Sequence, residues 1–100
     1  MGKKLPPDQL VLYKRIDELL WSAWDPIGVY GVPEARDEYH SYLPAVFALA
    51  MRPGDVAEIA DYLHAIETVN LGLGGSRERC RLPAEKICQA RHEFVGPVGN

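Results

Sequence analysis

Apolar side chains recur at helical spacing along most of the chain. Leu12, Ile16, Leu19, Leu20 and Ala23 follow one another at intervals of four, three, one and three, while Lys14, Arg15, Asp17 and Glu18 fall off that stripe. Such a stripe is one face of an α-helix, and it predicts a helix from about Asp8 to Trp24. Pro6, Pro7 and Asp8 suit its start, because proline tolerates a first turn and an aspartate can accept from the free amides there. Asp25-Pro26 ends it, since proline disfavours helical geometry in the residue before it. A second helix is expected over Leu43–Met51, with Ser41 as N-cap and Pro44 in the first turn. Val56, Ile59, Ala60, Leu63 and Ile66 predict a third over Val56–Asn70, opened by a capping box of Asp55 and Glu58 and stopped by Gly72. Ser76 opens a fourth, with Ile87, Ala90 and Phe94 as its apolar positions and a break or fresh start at Pro83. No strand-length alternation, repeat or low-complexity tract interrupts this pattern.

Between the first two helices the pattern changes. Asp25-Pro26-Ile27-Gly28-Val29-Tyr30-Gly31-Val32-Pro33 holds two prolines and two glycines in nine residues, which marks a loop. Four of its residues, Ile27, Val29, Tyr30 and Val32, are nonetheless apolar. Such a loop either folds back on the core or offers a contact surface. Glu34–His40 reads as a helical turn or short helix. The fold class expected is therefore all-α: a compact bundle of about four helices, with an apolar Pro/Gly loop between the first two. Residues 1–100 read as a single domain whose ends, 1–7 and 95–100, are flexible.

Trp24-Asp25-Pro26-Ile27-Gly28-Val29, then Asp37-Glu38-Tyr39-His40-Ser41-Tyr42, and later Tyr62-Leu63, Ile66-Glu67 and Leu71-Gly72-Leu73 resemble a family of small uncharacterised bacterial helical proteins of the YugE-like kind. The resemblance covers roughly residues 10–73. It rests chiefly on the Trp-Asp-Pro-x-Gly loop and the acidic-Tyr turn. It implies a helical fold and directs attention to the loop, but it implies no activity. An aspartate often follows the tyrosine in that family; here the position is His40, which weakens any role needing a carboxylate there.

Composition narrows the field. Hydrophobic residues make up 47% and charged residues 25%, so a packed core is expected rather than disorder. The formal net charge is −3, from 11 basic and 14 acidic residues, without the basic excess of a nucleic-acid binder. Nine residues, Leu43–Met51, form the longest apolar run, and a bilayer span needs about 20. The lysines near the start are followed by no apolar core, so a secretory signal is not expected. Two cysteines are too few for a disulfide scaffold. A cytoplasmic location follows as the expectation, with no cofactor.

Five groups could carry chemistry. Asp25, Glu34, Asp37 and Glu38, beside Tyr39 and His40, would bind a divalent cation or act in acid–base catalysis if they converged; turn and helix-start chemistry accounts for them without a ligand. Trp21 and Trp24 are interface anchors or packing residues. Cys88 and His92, four apart on one helix face, with Cys80, fall short of a zinc-finger spacing. Arg77, Arg79, Arg81, Lys86 and Arg91 form the one locally basic stretch, interspersed with Glu78, Glu85 and Glu93, as on a solvated helix. His64 and Glu67 border the third helix's apolar stripe, where they could face a groove. No phosphate loop, nucleophile elbow or His-Glu-x-x-His motif is present. The expected function is a protein-interaction module of the adaptor, antitoxin or immunity type. Its contact residues would be Trp24, Asp25, Ile27, Val29, Tyr30, Glu38, Tyr39 and His40, with a protein partner or self-association and no membrane or nucleic acid. The alternatives are a metal-dependent or acid–base enzyme using the acidic loop, and nucleic-acid binding through the Arg-rich last helix.

Overall fold

Four amphipathic stripes need one another to leave water, and the fold is how they do so. The computed structural model describes residues 5–52 and 56–96. In chain order these form α1 (Pro7–Leu19), α2 (Leu43–Met51), α3 (Val56–Ala65) and α4 (Arg77–Phe94), and among the described residues there is no strand. The protein is an all-α bundle, 37 × 29 × 24 Å in extent. None of the described helices is long and apolar enough to cross a membrane.

Leu12, Ile16, Leu19 and Leu20 are buried as their spacing predicts, and they meet Val46 of α2, Ile59 and Leu63 of α3 and Ile87 of α4 in one cluster. A fully buried side chain of this size contributes about 1.5–3 kcal/mol. Helix α4 packs against both α1 and α3 and so forms the axis of the bundle. Its buried stripe is Cys80, Pro83, Ala84, Ile87, Ala90 and Arg91. Most of these side chains are small, which lets the neighbouring helices approach closely. Arg91 is buried with its Nη1 donating to the Gly96 carbonyl at 3.2 Å.

Two local expectations need correction. Pro83 neither breaks nor restarts α4, which runs through it; a proline here lacks the amide that would bond the carbonyl four residues back, and burial of its ring compensates. Ser41 does not cap α2. A 3₁₀ turn, His40–Tyr42, leads directly into the helix, and Tyr42 occupies the cap position without a side-chain bond. The stretch read as a helical turn or short helix holds a 3₁₀ turn, Pro33–Ala35, followed by irregular turns. By contrast, Ser76 caps α4 as expected, its Oγ accepting from the Glu78 amide at 3.1 Å. Asp8 likewise accepts at its helix start, from the Gln9 amide at 2.9 Å. The capping box at Asp55 lies outside the described residues, as do 1–4 and 97–100 of the ends expected to be flexible.

The helices α1 and α3 share one departure from the predicted pattern. Each ends in a π-helical turn, Leu20–Trp24 after α1 and Ile66–Asn70 after α3. The Asp25 amide donates to the Leu20 carbonyl at 3.0 Å and the Leu71 amide to the Ile66 carbonyl at 2.9 Å, each spanning five residues rather than four. A π turn widens the helix locally and is often found at functional sites. Here the first one alters the predicted stripe: Ala23 is only half-buried, and Trp24 takes the interior position.

Candidate functional site

The loop is organised from within by Asp25. This residue sits in the left-handed region, at φ 35° and ψ 61°, which an aspartate tolerates better than most side chains. Its Oδ1 accepts from the amides of Gly28 at 3.2 Å and Val29 at 2.8 Å, and its Oδ2 from the Tyr30 amide at 3.1 Å. The Tyr39 hydroxyl donates to Oδ1 at 2.8 Å and accepts from the Ile27 amide at 3.1 Å. The carboxylate is thus committed to holding its own loop. Tyr39 is buried, and burial, reinforced by the Asp25 carboxylate, raises its phenol well above the ordinary range.

The return leg of the loop is fastened to α1. Arg36 makes a bidentate pair with Asp17, at 3.1 and 3.2 Å, and His40 Nε2 lies 3.1 Å from Asp17 Oδ1. Trp21 meets the Tyr30 ring, tilted 53° at 5.7 Å centroid to centroid, and the Arg36 guanidinium, 5.4 Å from its own ring.

The residues named from sequence therefore separate into two sets. Trp24 and Tyr39 are buried, their rings 5.2 Å apart, and support the loop rather than forming its surface. Val29 packs against the core. Ile27, Tyr30 and Val32 stay in solvent, at 42%, 61% and 44% exposure. Glu34, Asp37, Glu38 and His40 are exposed, and His40 turns to Asp17 instead of Asp25. Among the described residues no three His, Cys, Asp or Glu side chains come together to hold a metal ion. Cys88 and His92 line a separate shallow depression, without Cys80. In the basic stretch, Arg77 pairs with Asp61, Arg81 pairs with Glu85 at 3.0 Å, and Arg91 is buried.

A second carboxylate lies behind the loop, one that the sequence set beside the third helix's apolar stripe without giving its partners. Glu67, in the second π turn, is 6% exposed. Its Oε2 accepts from the Trp24 indole Nε1 at 2.7 Å and from the Cys80 thiol at 3.3 Å. Burial, then the bond to Glu67, pushes the Cys80 thiol up to about 12. Glu67 has no ion-pair partner among the described residues. Gly75 lies flush against it: a Cβ there would stand 1.8 Å from Glu67 Oε1. His64 Nε2 lies 3.0 Å from the Gly75 carbonyl and the Leu73 amide donates to the Glu67 carbonyl at 2.7 Å, fixing the link between α3 and α4. Glu67, Leu73 and Gly75 line a cleft of about 540 Å³, together with Trp24 and Pro26 and with Glu78, Arg79, Leu82 and Pro83 of α4. One signal was available: Glu67 follows Leu63 by four, on the apolar stripe itself. Its partners, 43 and 13 residues away in sequence, were not.

Compared with known proteins, the chain matches no family model, no curated protein and no solved structure.

Proposed function

We propose that the protein is an interaction module that presents Ile27, Tyr30 and Val32 to a protein partner. One observation carries this reading: Ile27, Tyr30 and Val32 stand in solvent on a loop held by a carboxylate that accepts from three of its backbone amides and from the Tyr39 hydroxyl. Apolar side chains that fold back on a core need no such clamp. A loop ordered in advance loses little entropy on binding. The neighbouring Trp21, Tyr30 and Arg36 are also the residue types that dominate binding energy at protein interfaces. The kinship with YugE-like proteins belongs to the same proposal. It predicts that relatives vary at Ile27 and Tyr30 with their partners and keep Asp25, Gly28 and Tyr39.

The test pairs light scattering of the purified chain with capture of partners from lysate of the native host. A stoichiometric protein partner, or a second copy, that is lost in the Ile27→Ser/Tyr30→Ser double variant supports the reading. Association unchanged in that variant, or a monomer that captures nothing, sinks it.

A further inference from the structure

We propose that the cleft between the two π turns binds a small organic cation, with its ammonium or guanidinium group paired to Glu67. The argument starts from the cost of the carboxylate. A buried charge is strongly disfavoured unless it is paired. Glu67 is more than nine-tenths buried, yet among the described residues it meets no cation, only two neutral donors. Both donors fall on Oε2. Arg79 lines the same cleft but lies beyond ion-pair distance, and Pro83 brings no amide to the wall it forms. The Cys80 thiol keeps its proton to about pH 12, so it adds no negative charge beside Glu67.

The shape supports the same occupant. A volume of about 540 Å³ lies within the range of small-molecule sites. Trp24 and Leu82 offer apolar and aromatic surface next to the buried Glu67 carboxylate, with the exposed Glu78 also on the lining, the combination that holds an alkylammonium by ion pair and cation–π contact. A bare metal ion is a poor fit. It would find Glu67, whose Oε2 already faces two hydrogen-bond donors, and the exposed Glu78, where hard cations take six or more oxygens. An anion would meet two carboxylates against the one guanidinium of Arg79.

The experiment follows the Trp24 indole N–H cross-peak by NMR, assigned by its survival in Trp21→Phe. Three probes of one shape are titrated: cyclohexylammonium, cyclohexanol and cyclohexanecarboxylate. Saturable movement is expected with the ammonium, with a dissociation constant of about 1 mM for so small a ligand. The alcohol should bind about tenfold more weakly, and the carboxylate not at all. Glu67→Gln, whose amide oxygen still accepts from Trp24, should erase the preference for ammonium over alcohol. The Ile27→Ser/Tyr30→Ser variant should bind the ammonium as the parent does, so the cleft and the loop surface stand or fall separately. Equal affinity for ammonium and alcohol in the parent chain, or no saturation by about 10 mM, overturns the proposal.

Discussion

Two carboxylates stand on either side of Trp24 and are held in opposite ways. Asp25 is half-exposed and receives three backbone amides and a phenol. Glu67 is buried and receives an indole and a thiol from distant parts of the chain. The first is saturated and has nothing left to offer a ligand. The second is accommodated but not neutralised. Identical chemistry thus serves as a clamp in one place and as an unfilled demand in the other, and the difference lies in burial and in the number of the donors, all of them neutral.

The largest effect expected from breaking this comparison is at the buried end. Glu67→Ala leaves the Trp24 indole without an acceptor and opens a void; about 3 kcal/mol of stability should be lost in urea unfolding. Removing both partners, with Trp24→Phe and Glu67→Leu together, should cost less than the sum of the two single changes, because no orphaned donor then remains. Strict additivity in that cycle would deny that the bond matters. Asp25→Ala should cost about 2 kcal/mol, by freeing the loop amides and placing a Cβ without a hydrogen-bonding side chain at φ 35°. Asp25→Gly should recover part of it, since only the strain is relieved. Gly75→Ala should lower stability by about 1–2 kcal/mol as its Cβ drives the pinned Glu67 carboxylate aside, whereas Gly74→Ala, with open space around it, should stay within about 0.5 kcal/mol. Equal effects at the two glycines would show that Glu67 is not fixed.

Alkaline pH sharpens the contrast further. The folded chain holds the Cys80 proton to about 12, against 9.0 for the free thiol. Between those values the unfolded chain releases a proton that the folded one keeps, so raising the pH favours unfolding. The raised Tyr39 phenol acts in the same direction, from pH 10.0 upward. Melting temperature should therefore hold up to about pH 9 and fall above it, and Cys80→Ala should flatten the first part of that fall. Smallest of all, Ile27→Ser/Tyr30→Ser should change stability by no more than about 0.5 kcal/mol, since neither side chain supports the core; a larger loss would move these residues from the surface account to the packing account.

The same contrast explains what could be read from the sequence. The extent of α2 follows directly from its residues, and so does the Ser76 cap, whose partner is two positions away. The Asp25 turn was legible for the same reason: its backbone partners lie within five residues. Inward placement of Tyr39 was not, because it depends on a bond reaching back fourteen residues. Nor was the pairing of Arg36 and His40 with Asp17, made only when the loop folds back on α1. Pro83 misled because proline usually disrupts a helix interior, and its burial against neighbouring helices is a tertiary fact. Glu67 could be set beside a groove from its place next to the apolar stripe, but its burial and its bonds to Trp24 and Cys80 could not be read until the opposite wall was in place.

Each π turn also amounts to one residue more than an α-helix requires. A regular helix advances 100° per residue. Deleting a single exposed position such as Val69, 79% exposed, would let α3 close with ordinary geometry and would swing everything after it by about that angle. Gly75 would no longer arrive beneath the carboxylate. The same holds for a deletion at Ser22 and the position of Trp24. The cleft is thus written in the length of the chain as much as in its residues, and a one-codon deletion could erase it while every side chain that lines it survives.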